Sequence, residues 1–133
     1  MVKWEPKYET GLAVIDDQHR ELFKLAAELE HAINVEEKLD CEYMMARLEV
    51  YSLYHFTSEE HLMQKYGYPD IEEHKQKHHK FRMKILGMKE NCLDTHGAAC
   101  RQELLDYLEE WIQTHIIEVD HKYLPYLQKG MGR

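Results

Sequence analysis

Apolar residues recur every three or four positions along most of this chain, and the recurrence breaks at only a few points. That period marks amphipathic helices whose inner faces share a core. A first helix is expected over 18–37, with the stripe Leu22, Leu25, Ala26, Leu29 and Ile33 and with Asp16 or Asp17 as N-cap. A second is expected over 41–66, capped by Asp40, with the stripe Met44, Leu48, Tyr51, His55, Glu59 and Leu62. Gly67-Tyr68-Pro69 is a strong stop. A third is expected over 70–90, with Ile71, His74, His78, Phe81, Ile85 and Met88 inward, and Asn91 to Gly97 reads as a loop. A fourth is expected over 98–117, with Leu104, Leu105, Leu108, Ile112 and His115 inward. A short tail helix with Tyr123, Leu124 and Leu127 follows. Residues 1–17 read as an irregular arm whose Trp4, Tyr8 and Leu12 can pack on the helices. The expected fold is all-α: one domain over 1–133, an antiparallel up-down-up-down four-helix bundle with an N-terminal arm and a short C-terminal helix.

Composition agrees with this picture and narrows the function. A length of 133 residues, 44% of them hydrophobic, suits one core, and 32% charged residues suit solvated outer faces. Six glycines and three prolines are too few for a turn-rich β fold. A net charge of −8 repels phosphate backbones, which excludes nucleic acid as a natural partner, whereas bound cations would offset it. The polar opening Met1-Val2-Lys3-Trp4-Glu5-Pro6 does not resemble a secretion signal, and no apolar run is long enough to span a bilayer. Cys41, Cys92 and Cys100 are odd in number and unpaired in spacing, which reads as reduced thiols in a cytoplasmic protein.

The polar residues that share the apolar stripes carry the chemistry. His55-x3-Glu59 and His74-x3-His78 each place two side chains about 40° apart on one helix face. His115 lies seven residues past Leu108, two turns along the same face, and His19 lies three before Leu22. A lone inward histidine is ordinarily a hydrogen-bonded core residue. Several on facing stripes would each need a buried acceptor, and a shared metal satisfies them together. His31, His61 and His121 project away from their stripes, His79 points sideways and His96 falls in the loop, so these five read as solvated. Tyr51 and Tyr54 read as core or boundary aromatics.

Asp120 is ambiguous. Five residues rotate a straight helix by about 140°, which turns Asp120 away from His115 and Val119 inward. Either Asp120 caps the tail helix, or it is a ligand and the helix unwinds, bends or tightens between Ile117 and His121.

Imidazoles with two carboxylates able to bridge favour a pair of iron or manganese ions. Carboxylate-rich dimetal bundles use Glu-x-x-His pairs. Glu28-x2-His31 and Glu118-x2-His121 have that spacing, but both histidines point outward, which weakens an oxygen-activating reading.

The run His55-Phe56-Thr57-Ser58-Glu59-Glu60-His61-Leu62-Met63, then Tyr68-Pro69, His74, His78 and Phe81, resembles hemerythrin. So do Ile15-Asp16-Asp17-Gln18-His19 with the Trp4 arm, and Trp111-Ile112 ahead of His115 and Asp120. The resemblance covers essentially the whole chain and is closest to the single-domain bacterial form. It implies two non-haem iron ions bridged by an oxo or hydroxo group, Glu59 and Asp120. It implies His74, His78 and His115 on one iron and His19 and His55 on the other, and so favours the ligand reading of Asp120. The second iron then has one protein donor fewer and keeps a position for a small molecule. Phe56, Trp111 and Ile112 are implied as the apolar wall beside it.

The function implied is reversible dioxygen binding, for storage, delivery or sensing, without catalysis. The competing reading is a di-iron enzyme on the same scaffold, handling peroxide, nitric oxide or ferrous iron. A sensory module signalling through a separate output protein is a third, and a partner that consumes oxygen or signals is compatible with either binding role.

Overall fold

The computed structural model describes residues 3–35, 41–95 and 98–132, with backbone only at 41–42, 91–95 and 98–100. The expected cap Asp40, His96, and the thiols of Cys41, Cys92 and Cys100 lie outside the described residues and side chains. Four helices form the body: α1 Ala13–Asn34, α2 Cys41–Lys65, α3 Ile71–Thr95 and α4 Ala98–Trp111. The chain continues from α4 through a π-helical stretch, Ile112–Val119, and a 3-10 turn, Asp120–Lys122, into α5, Leu124–Gly130. Each helix packs on its neighbours in sequence, and α1 packs on α4 to close the ring. The all-α four-helix bundle expected from the periodicity is the fold. Among the described residues no helix is long and apolar enough to cross a membrane.

Two expected helices are corrected. The first starts at Ala13, not Gln18, and ends at Asn34, short of the expected 37; neither Asp16 nor Asp17 is its N-cap. Asp16 lies inside the first turn and reaches back. Its carboxylate accepts the backbone N–H groups of Thr10 (2.8 Å) and Gly11 (3.3 Å) and the Thr10 hydroxyl (2.8 Å). The third helix runs on to Thr95 instead of ending at Glu90. No glycine or proline lies between Glu90 and Thr95, so nothing in that stretch forces a stop. The α2 stop is as expected: Gly67 adopts φ +71°, and the Tyr68 N–H donates to the Met63 carbonyl at 2.9 Å. That pattern is a glycine-terminated helix end.

The core falls into two parts. The larger contains Leu22, Leu29, Leu48, Phe81, Ile85 and Leu108 and runs along the bundle. The smaller, with Leu12, Ile15, Met63, Tyr68, Tyr123 and Leu127, closes one end. Trp4 and Tyr8 of the arm dock edge-on against Phe23, with centroids 5.2 and 4.8 Å away, and the Arg20 guanidinium covers Trp4. The inward polar residues fall between the two parts: His19 between Ile15 and Leu22, Glu59 between Phe56 and Met63, Asp120 between Ile116 and Tyr123.

Replacing Asp16 by Ala strands the buried Thr10 amide. The expected loss is about 1–3 kcal/mol of unfolding free energy in urea. A loss below about 0.5 kcal/mol would show that the reach-back contact is dispensable.

Candidate metal centre

Seven polar side chains meet between the two apolar parts, each at most 3% exposed: His19, His55, Glu59, His74, His78, His115 and Asp120. Ordinary α-helical spacing delivers the pairs on α2 and α3. The last two need different geometry. Through Ile112–Val119 the helix widens, and the Asp120 N–H donates to the His115 carbonyl five residues back. A turn closed that way takes in one residue more than an α turn, so residues five apart return to one face. The 3-10 turn at Asp120–Lys122 then tightens the chain where local tightening was expected. The preceding widening was not anticipated. Asp120 is fully buried, Val119 only half-buried, and α5 begins at Leu124 with no side-chain cap, so Asp120 is not the cap of the tail helix.

The seven donors form two overlapping groups. Glu59, His74, His78, His115 and Asp120 can offer atoms within 4.8 Å of one another, and so can His19, His55, Glu59 and Asp120. Both carboxylates belong to both groups. Asp120 divides its oxygens: Oδ1 lies 2.8 Å from His115 Nε2 and 3.0 Å from His74 Nε2, and Oδ2 lies 3.0 Å from His19 Nε2. Glu59 Oε1 lies 3.0 Å from His55 Nε2 and 3.3 Å from His78 Nε2.

These approaches are close without being hydrogen bonds. The Nε2 atoms of His19, His74, His78 and His115, Glu59 Oε1 and both Asp120 oxygens are enclosed and have no hydrogen-bond partner. Each such buried orphan costs about 1–3 kcal/mol. A cluster of them aimed at shared points is what cations would satisfy. The donor set, imidazole nitrogens with shared carboxylates, fits first-row transition ions.

Electrostatics agree. Burial pushes both carboxyls up, and the surrounding imidazoles, led by His55 at Glu59 and His115 at Asp120, overcome it and hold both well below the usual carboxylate range. They therefore stay ionised. Burial also works against charge on the imidazoles. It lowers His115, whereas Asp120 and Glu59 outweigh it at His19, and Glu59 with Glu60 raise His78 to about 9. Positive charge is drawn to this point in the bundle.

Three supporting residues were not foreseen. His55 Nδ1 lies 2.6 Å from Gln18 Oε1, and His78 Nδ1 lies 2.9 Å from Glu60 Oε2. The Tyr123 hydroxyl donates to Glu59 Oε2 at 2.6 Å, and burial, helped by Glu59 and Asp120, raises its pKa well above normal and keeps it protonated. Gln18 lies four residues before Leu22 on the α1 stripe, which was the available signal. Phe56 stacks on His78 (3.8 Å, 5°) and half-buried Trp111 on His115 (3.9 Å, 11°), and Ile112 is fully buried.

The other histidines are mostly as expected. His31, His61 and His79 are exposed. His121 is corrected: it is half-buried with Nε2 enclosed, because the widened and then tightened backbone turns it partly inward. Glu28 pairs with Arg47 at the surface, so the Glu28–His31 spacing serves no buried site.

A ring of helices that buries two overlapping sets of metal-binding side chains defines a dinuclear cation-binding bundle. The chain belongs to the hemerythrin family, since the model of the hemerythrin HHE cation binding domain matches residues 10–127. It is 30% identical to a bacteriohemerythrin of Clostridium acetobutylicum, over 93% of this chain and 99% of that one. It is 28% identical to a myohemerythrin of Sipunculus nudus, over 90% and 88%. A crystal structure of wild-type hemerythrin superposes with a TM-score of 0.83 at 26% identity, covering 96% of this chain and 98% of that one.

Ferrous ion added anaerobically to metal-free protein should raise the unfolding free energy. Above saturation the expected slope is about 2.8 kcal/mol per tenfold rise in free ion for two sites, against about 1.4 for one. Chemical denaturation across a buffered ion series measures it, and a flat response would contradict a metal centre here.

Proposed function

We propose that the protein binds dioxygen reversibly at a pair of iron ions held in the bundle centre. His74, His78 and His115 would hold one ion, His19 and His55 the other, with Glu59 and Asp120 shared between them. The observation that carries the reading is the unequal pair of donor groups: they share both carboxylates, but one has three imidazoles and the other two. The ion with fewer donors is the one left open to a small molecule. When bound, an iron pair supplies two electrons that can be lent to dioxygen and recovered.

The chain's own residues favour recovery over onward reaction. Phe56, Phe81 and Trp111 form a contiguous aromatic wall, with Phe56–Phe81 centroids at 5.5 Å and Phe81–Trp111 at 4.5 Å. With Ile112 they keep water and stray proton donors from the centre. Tyr123 holds its proton on the outer oxygen of Glu59. Among the described residues the other buried polar side chains are already hydrogen-bonded: Asp16 with Thr10, Gln18 to His55, Ser52 to the Glu49 carbonyl. That arrangement supports binding rather than turnover. A cytoplasmic setting goes with this reading and is supported by three cysteines with no close pair.

Iron-loaded protein should be reduced, exposed to air and deoxygenated repeatedly while its visible spectrum is followed. A band that comes and goes with oxygen is expected. Prompt irreversible oxidation, or turnover of added peroxide, would overturn the binding reading. His74→Ala or His78→Ala should abolish iron retention, and His31→Ala or His61→Ala should leave it intact, as metal analysis after gel filtration will show. Iron kept in the first pair would refute the ligand assignment.

A further inference from the structure

The two donor groups differ in what stands behind their imidazoles, as well as in number. We propose that Glu60 and Gln18 are positioning residues that make the two metal positions unequal, Glu60 acting through His78 and Gln18 through His55. The proposal rests on the dinuclear reading above and adds an electronic ranking of the two positions.

The hydrogen-bond directions are fixed by the surroundings. The Ser58 hydroxyl donates to the Tyr54 carbonyl at 2.9 Å, so it accepts from Gln18 Nε2 at 3.3 Å. The Gln18 carbonyl oxygen is thereby left facing His55, whose Nδ1–H donates to it at 2.6 Å. Glu60 can only accept, so the Nδ1–H of His78 donates to it at 2.9 Å. With Nδ1 engaged in this way, each ring presents Nε2 to the shared carboxylates as the nitrogen an ion would take.

The acceptors differ in charge. Glu60 is a carboxylate with its side chain 28% exposed; Gln18 is a neutral amide, 8% exposed. A carboxylate behind a ligating imidazole raises the basicity of the opposite nitrogen more than a neutral carbonyl does. The anionic support therefore falls on the group that already has three imidazoles. The two-imidazole group receives the weaker push. Its ion is the less tightly held of the two, and the more electron-poor. Chain geometry explains the assignment of Glu60: it follows Phe56 by one helical turn, and Phe56 covers the face of the same His78 ring.

Release of iron from the fully loaded protein to an excess chelator tests this. The wild type should lose its two ions in two phases. Glu60→Gln keeps the shape and the acceptor but removes the charge; it should speed the slow phase by about 10- to 100-fold and leave the fast phase alone. Gln18→Glu adds charge at the other position and should slow the fast phase, and the double variant should show both changes. Far-UV circular dichroism checks that the helices persist, and the two single variants report independently should one fail to fold. A single uniform phase in the wild type, or rates within twofold of it in both variants, overturns the proposal. Failure of the wild type to take up two ions overturns the dinuclear reading instead.

Discussion

Two carboxylates buried side by side, Glu59 and Asp120, set the terms for the rest of the molecule. Neither is exposed; burial works against ionisation of both, and the charge of Asp120 adds repulsion at Glu59. Uncompensated, such charges cost several kcal/mol apiece, a large share of the net stability of a domain this size. Compensation must come from groups fixed in place, because a flexible partner would lose in conformational entropy much of what it gained in attraction. Imidazoles projected from rigid helices meet that condition, and cations complete it. The bundle is therefore less a container for the centre than the means of holding five rings at fixed angles around two negative charges.

Aromatic stacking refines that placement. A ring free to rotate about its side-chain bonds would carry its nitrogen away from the shared point. Phe56 lies flat on His78 and Trp111 on His115, and Tyr51 stacks at 22° beside His55, so these three rings are held against planar neighbours. The same contacts join the centre to the larger apolar core. The smaller core at the other end contributes Tyr123, whose ring stacks near His74 and whose hydroxyl meets Glu59. Packing and polar chemistry are one construction here, and a large-to-small change at Phe56 would be felt in both.

Much of this was legible in the sequence, for a physical reason. Residues four apart share a helix face wherever the helix is regular, so His55 with Glu59 and His74 with His78 declared themselves, and the apolar stripes gave the bundle. What escaped depended on neighbours distant in the chain or on irregular winding. Gln18 and Glu60 are recognisable as partners only once α1 lies beside α2 and α2 beside α3, because their rings are 37 and 18 residues away. An acidic residue near a helix start reads as its cap, whereas Asp16 sits one turn inside α1 and folds back to Thr10. The spacing of His115 and Asp120 showed only that regular winding fails if Asp120 is a ligand, not that the chain widens from Ile112 onwards before tightening.

That widened stretch limits how the chain can wind. Substitutions within Ile112–Val119 are judged residue by residue, as anywhere else. If the same residues took up ordinary α winding instead, everything after them would swing by about 100°. Asp120 would leave the axis of the bundle, Tyr123 would lose Glu59, and Leu127 would come out of the end it seals. Regular winding, the ordinary state of a helix, would here dismantle the bridge, its proton donor and the closing layer in a single step. The width of this turn thus matters to the centre as much as any donor atom it presents.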